Sequence, residues 1–281
     1  MKSLLLAGAI VLSGFSAVKA QKLHLTLFGG ISNYQGDLQS KRFTFQQSGA
    51  AFGAGALYEL NKKLYLRANV TVGKVNGDDK VSGLYLNRNL SFSSPVTDIH
   101  LGLEYDLLNS YERSVVPFVF GGISVFRFNP STLDTTGAKV FLQPLGTEGQ
   151  GYYLGRKKYD LTSFAIPFGA GAKLSLSENI KVRFEVGFRK TMTDYIDDLS
   201  TTYADQSELL LNNGPRAVNL AFRGDENKSG FTYPEANSIR GNPGSKDWYY
   251  FAGLGISFRL APKFNGPGNG RNKTGCPVNV Y

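Results

Sequence analysis

The sequence is short of most things a soluble enzyme or a metal protein relies on. It has one cysteine, Cys276, and two histidines, His24 and His100, in 281 residues. A single cysteine excludes any disulfide within the chain and any thiolate metal cluster. With Cys276 as the only cysteine, the sequence contains no lipobox. Charged residues make up only 19%. Beyond the first twenty residues no apolar run approaches the ~20 residues that a membrane helix needs. Helical membrane proteins are therefore excluded, but barrels are not, because a barrel strand buries only alternate side chains in lipid.

What is abundant is glycine, with 33 residues, and aromatic side chains, at 13%. Residues 1–20 have the form of a secretory signal: Lys2, the apolar run Leu4 to Val11, then Val18-Lys19-Ala20 as a small-residue cleavage site. The formal net charge is +9. For an exported chain this charge does not point to nucleic acid, and Lys and Arg are expected to be spread over loops and a polar interior.

Period-two patterning carries the fold. Near the end, Tyr250, Ala252, Leu254, Ile256, Phe258 and Leu260 alternate with Tyr249, Phe251, Gly253, Gly255, Ser257 and Arg259. Such alternation marks a strand between two unlike environments. Eight strands are expected, at 23–32, 49–60, 63–75, 95–107, 114–128, 162–176, 180–193 and 248–260. Short and long connections alternate between them, as in outer-membrane barrels with tight periplasmic turns and long external loops. The expected fold is all-β: an eight-stranded antiparallel up-and-down transmembrane barrel. The expected organisation is a signal peptide (1–20), the barrel (21–260) and a flexible basic periplasmic tail (261–281), with both termini in the periplasm.

Eight strands enclose space for side chains only. The expected interior charges are Arg67, Arg127, Lys173, Lys181, Arg183, Arg189 and Arg259 against Asp98, Glu104, Asp106 and Glu185, with His100 among them. In a narrow lumen they should pair, because an unpartnered buried charge is costly. The strand at 114–128 is apolar on both faces and its register stays open. Neither histidine has a serine partner in view, so no catalytic site, no cofactor and no enzymatic activity are expected. Asp194, Asp197 and Asp198 are weak metal candidates because they offer oxygen ligands without the spacing of a calcium loop. The alternative is that they order the loop or cap a helix at 198–211.

Several stretches together resemble a known family. They are Phe28 to Leu38, the run Thr193-Asp194-Tyr195-Ile196-Asp197-Asp198-Leu199-Ser200, Arg240-Gly241-Asn242-Pro243, and Lys246-Asp247-Trp248-Tyr249. They resemble the PorG-like outer-membrane barrels of Bacteroidota, components of the type IX secretion system. The resemblance implies a non-enzymatic part in protein secretion and gliding. That part is the anchoring or assembly of a periplasmic ring of lipoprotein and soluble subunits at the outer membrane. From topology and charge, the tail residues Lys263, Arg271, Lys273 and Cys276 are expected to meet that ring, with Cys276 offering an intermolecular disulfide. Outer-membrane lipid is the other expected partner. A general small barrel, a narrow porin or an adhesin, is the alternative.

Overall fold

The computed structural model describes residues 22–39, 44–83, 85–153, 155–227 and 230–260. Eight long antiparallel strands form the body: β1 (Leu23–Gln35), β2 (Gly49–Glu59), β3 (Leu64–Asp78), β4 (Ser91–Asp106), β5 (Val115–Phe128), β8 (Thr162–Ser175), β9 (Ile180–Thr191) and β10 (Trp248–Arg259). Each pairs with its neighbour in sequence. The ring is closed where β1 meets β10, with Leu27 opposite Ile256 and Gly30 opposite Gly253. Pairing of β3 with β4, Ala68 opposite Leu101, completes the circuit. Closure leaves no free sheet edge, which a strand surrounded by lipid could not tolerate.

Side-chain alternation decides what faces where. Leu27, Phe52, Val70, Leu101, Ile123, Phe164, Phe184 and Leu254, one from each barrel strand, are exposed on the outer surface. A continuous apolar belt far exceeds the patch size of soluble proteins and requires a hydrocarbon surround. At the long-loop end of the belt, Phe168, Phe188, Trp248 and Tyr250 form an aromatic cluster on β8–β10, with ring centroids 5.6–5.9 Å apart. Aromatic side chains in that position are the girdle of a membrane barrel.

The inner face settles the register of β5. Phe118, Phe120, Ser124, Phe126 and Phe128 point inward and are buried, which leaves Arg127 exposed on the outer face. Arg127 is thus not an interior charge: its cross-strand neighbours Thr97 and Thr162 also face outward and are exposed. Glycines on β8 accommodate the inward rings. A Cβ on Gly171 would come 2.2 Å from the Phe184 carbonyl oxygen and 2.5 Å from Cζ of Phe118.

Three connections are short, and four are long and structured. The long ones carry a single helical turn α1 (Asp79–Ser82), the hairpin β6 (Ser131–Leu133) and β7 (Lys139–Phe141), and helices α2 (Gln206–Asn213) and α3 (Pro215–Ala221). β1, β3 and β4 also run beyond the belt at this end. An apolar core that includes Tyr34, Leu38, Phe92, Phe126, Phe128, Tyr159, Ile196, Leu199 and Leu220 joins the strand ends to the loops as a cap.

The helix expected at 198–211 begins later. Asp198 sits at φ 68°, a left-handed conformation that cannot open an α-helix. Asp205 is the N-cap instead and accepts from the Ser207 and Glu208 amides. The tail residues Lys263, Arg271, Lys273 and Cys276 and the signal 1–20 lie outside the described residues. The expected disulfide to a periplasmic ring subunit is overturned: Cys276 is the chain's only cysteine and lies outside the described residues, so nothing supports a covalent bond to a partner.

Candidate functional site

Two polar constellations stand out, one filling the lumen and one inside the cap. The lumen cluster is centred on Glu104, which alternation on β4 turns inward and which is fully buried. Three cations converge on it: Arg67 at 3.0 Å, Lys173 at 2.7 Å and Arg183 at 2.6 Å. Glu185 bridges Arg67 at 2.6 Å and Arg183 at 3.2 Å, and Asp106 holds Lys173 at 2.5 Å. Three positive and three negative groups therefore neutralise one another across β3, β4, β8 and β9. Aromatic faces complete the packing. The Arg67 guanidinium lies 4.1 Å over Phe120, and that of Arg183 lies 4.5 Å over Phe118. Both contacts add cation–π attraction in a desolvated setting.

The remaining lumen residues form separate layers. Toward the long-loop end Arg189 lies 3.7 Å from Asp98, which also accepts from the Tyr249 hydroxyl at 2.7 Å. His100 is buried beside Phe120, and neither ring nitrogen meets a protein partner. Arg259 is not part of the central cluster. It stands at the short-turn rim, 3.6 Å from Glu59, and lines with His24, Tyr111 and Lys181 a polar hollow of about 510 Å³.

The cap constellation is assembled from segments far apart in sequence. Asp79, Glu148, Asp194, Asp197, Asp198 and Asp247 are all buried there, with the buried guanidiniums of Arg88 and Arg240. Arg88 grips Asp79 with Nε at 2.9 Å and Nη2 at 2.7 Å. Arg240 reaches Glu148 at 3.0 Å and Asp198 at 3.5 Å. Hydroxyls and amides serve the other carboxylates. Tyr34 donates to Asp197, Ser200 to Asp194 at 2.8 Å, Tyr159 to Asp198 at 2.6 Å, and the Ile196 amide to Asp247 at 2.9 Å.

Carboxylates outnumber guanidiniums, and burial dominates their titration. Desolvation pushes Asp194 up to about 7 and Asp198 up to about 6, the latter against the attraction of Arg240. Burial, reinforced by neighbouring carboxylates, also raises Asp197 and Asp247 well above the ordinary range. Asp194, Asp197 and Asp198 do not converge: each spends its oxygens on different hydroxyls and amides. Among the described residues no group of three or more acidic, histidine or cysteine side chains is arranged to hold a metal.

Arg88 and Glu148 were not singled out from the sequence, and Tyr34 entered only as part of the Phe28 to Leu38 stretch. Arg240 sits in the Arg-Gly-Asn-Pro stretch, which signalled its place but not its role. The stretches that carry the family resemblance meet in this cap. Asp37 accepts from the Asn242 amide at 2.8 Å, Tyr34 bonds Asp197, and Asp247 bonds Ile196.

Comparisons with known proteins come next to this geometry. The profile of a family described as "Domain of unknown function (DUF6089)" matches residues 3–143, half of the chain. No curated protein matches. Three solved structures are similar at low identity. Neisserial surface protein A (NspA) is 11% identical with a TM-score of 0.44, over 85% of this chain and 97% of that one. The outer membrane protein OprG from Pseudomonas aeruginosa is 12% identical with a TM-score of 0.39, over 85% and 97%. Ail, the attachment invasion locus protein of Yersinia pestis, is 10% identical with a TM-score of 0.38, over 84% and 97%. The fold rests on the strand pairing described above.

Proposed function

This chain belongs to the DUF6089 family, and we propose that it is a closed, non-conducting outer-membrane barrel whose working surface is the external cap. The observation that carries this reading is the neutralised cluster around Glu104. The void left beside Arg67, Arg183 and Glu185 is about 10 Å³, room for no more than one water molecule. A solute path would need those six charges to separate inside a low-dielectric tube. The cap, by contrast, is built from all four long connections and has its own apolar core, so it is a shaped surface and not a set of free loops. In this reading residues 1–20 are removed on export and the short turns and both termini lie in the periplasm. Planar-bilayer recording of the purified barrel tests it. Baseline current is expected, and ohmic steps at neutral pH would sink it in favour of a narrow porin.

A finer reading, a component of the type IX secretion machinery, draws on the resemblance. What supports it is that the resembling stretches pack against one another in the cap. A deletion strain is expected to retain cargo bearing the C-terminal export signal inside the cell. Normal secretion by that strain would reject the finer reading and leave the closed barrel standing.

A further inference from the structure

The cap contains a cavity of about 420 Å³ whose walls come from three of the four long connections, among them Asp37, Tyr85, Asn87, Arg88, Tyr203 and Arg240. Its size is that of a small-molecule site, and its lining mixes aromatic rings with a few polar groups. Tyr203 is 4% exposed as a residue, its ring is held edge-on by Phe222 and Tyr233 at centroid distances of 6.1 and 5.8 Å, and among the described residues its hydroxyl makes no hydrogen bond. A hydroxyl at a cavity wall can donate one hydrogen bond to whatever fills it and accept others from it.

The charges at the floor select what that occupant is. Asp37 stands in the wall, its carboxylate accepting from the Asn242 amide, and Arg88 and Arg240 lie at the floor. Neither is available to an anion, because Asp79 neutralises the first and Glu148 with Asp198 neutralises the second. Each guanidinium still has N–H capacity to spare. Arg88 makes four bonds, to Asp79 twice, to the Arg240 carbonyl at 2.6 Å and to the Asp37 carbonyl at 3.0 Å, out of the five its fork offers. Hydrogen-bond donors without net charge, a free hydroxyl, the Asn87 amide and an exposed aromatic ring at Tyr85, 4.6 Å from the Arg88 guanidinium, match an uncharged polyol with apolar C–H faces.

We propose that this cavity is a binding site for a neutral glycan, taken either as a free oligosaccharide or as the head group of a glycolipid. Tyr203, Asn87 and the floor guanidiniums bond its hydroxyls, and Tyr85 stacks on a sugar face. The assignment rests on the reading of the cap as the external working surface.

The test uses full-length protein in detergent on an array of immobilised neutral and anionic oligosaccharides, beside the variants Tyr203→Phe, Asn87→Ala and Tyr85→Ala. Tyr85 and Asn87 are surface positions, so their loss leaves folding intact, which heat-modifiable gel migration verifies. Binding of neutral glycans is expected. It should weaken by roughly 3- to 10-fold for Tyr203→Phe and for Asn87→Ala, the worth of one neutral hydrogen bond, and more for Tyr85→Ala. The best array ligand is then offered as free sugar and as a lipid-linked head group in nanodiscs. Capture of the free sugar assigns the soluble source, and capture only of the lipid-linked form assigns the glycolipid. No neutral binder, binding of anionic glycans alone, or equal binding by all three variants would overturn the assignment. The same preparation is recorded in planar bilayers. A silent barrel that ignores every neutral glycan defeats the glycan assignment alone, whereas conducting steps defeat the closed-barrel reading beneath it.

Discussion

Glu104 is the residue on which the lumen turns. It is the one carboxylate that touches Arg67, Lys173 and Arg183 together. Its replacement by Gln leaves three cations facing two carboxylates in a lumen with little room for water to screen them. Breaking a buried pair from one side costs about 3–5 kcal/mol, so Glu104→Gln is expected to lower the denaturant midpoint in detergent by that equivalent. A midpoint within error of wild type would show that the cluster contributes nothing net. In the cap the residue-scale lever is pH. Asp194 at about 7 and Asp198 at about 6 hold their protons more tightly in the folded protein than in the unfolded chain, where carboxyls titrate near ~4. The folded state therefore binds more protons between those values, and stability falls as pH rises. Asp197 and Asp247 act in the same sense. The cap should resist limited proteolysis better at pH 5 than at pH 8, and Asp194→Asn should flatten the difference. Greater resistance at pH 8 would refute the sign.

At the scale of elements, what could be read from the chain divides cleanly by environment. The two faces of β3, β4, β9 and β10 were legible because lipid on one side and a charged lumen on the other impose period two. β5 was not legible, because its inner face is lined with Phe118, Phe120, Phe126 and Phe128 and apolar residues on both sides erase the signal. The strand extensions beyond the belt were missed for the related reason that there both faces are protein. Arg67, Lys173, Arg183 and Glu185 could be named as interior charges from parity alone. The cap site could not: its partners lie up to 205 positions apart, and no local pattern records which loop folds over which. Two element-scale outcomes follow from the packing. Asp205→Ala removes the cap of α2, which should cost about 0.5–2 kcal/mol and appear as faster amide exchange over Gln206–Asn213 with the barrel unchanged. Gly171→Ala drives a methyl into the β9 backbone and the Phe118 ring. Overpacking of that kind costs about 1–3 kcal/mol and should reduce the heat-modifiable folded fraction; full recovery of folded protein would mean that the lumen has slack the close contacts deny.

For the whole molecule, the asymmetry of the barrel is the property that all the other arguments share. One end has three tight turns and a polar rim around His24 and Arg259; the other carries a cap with its own core, α2, α3 and a cavity. If the cap is the external working surface, a probe placed on it must be reachable from outside the cell and a probe on a short turn must not. The chain is well suited to the test, because Cys276→Ser yields a background with no cysteine. Ile239 is 81% exposed on the cap, and Glu178 lies in the short β8–β9 turn. In that background, Ile239→Cys is expected to react with a membrane-impermeant maleimide on intact cells. Glu178→Cys should react only after the outer membrane is permeabilised. The reverse pattern would turn the barrel over, place the cavity in the periplasm and remove the external role of the cap, while the closed lumen and the fold would be untouched. Labelling of both positions on intact cells would mean instead that the reagent crosses the membrane, and silent bilayer recordings would then exclude the barrel itself as the route.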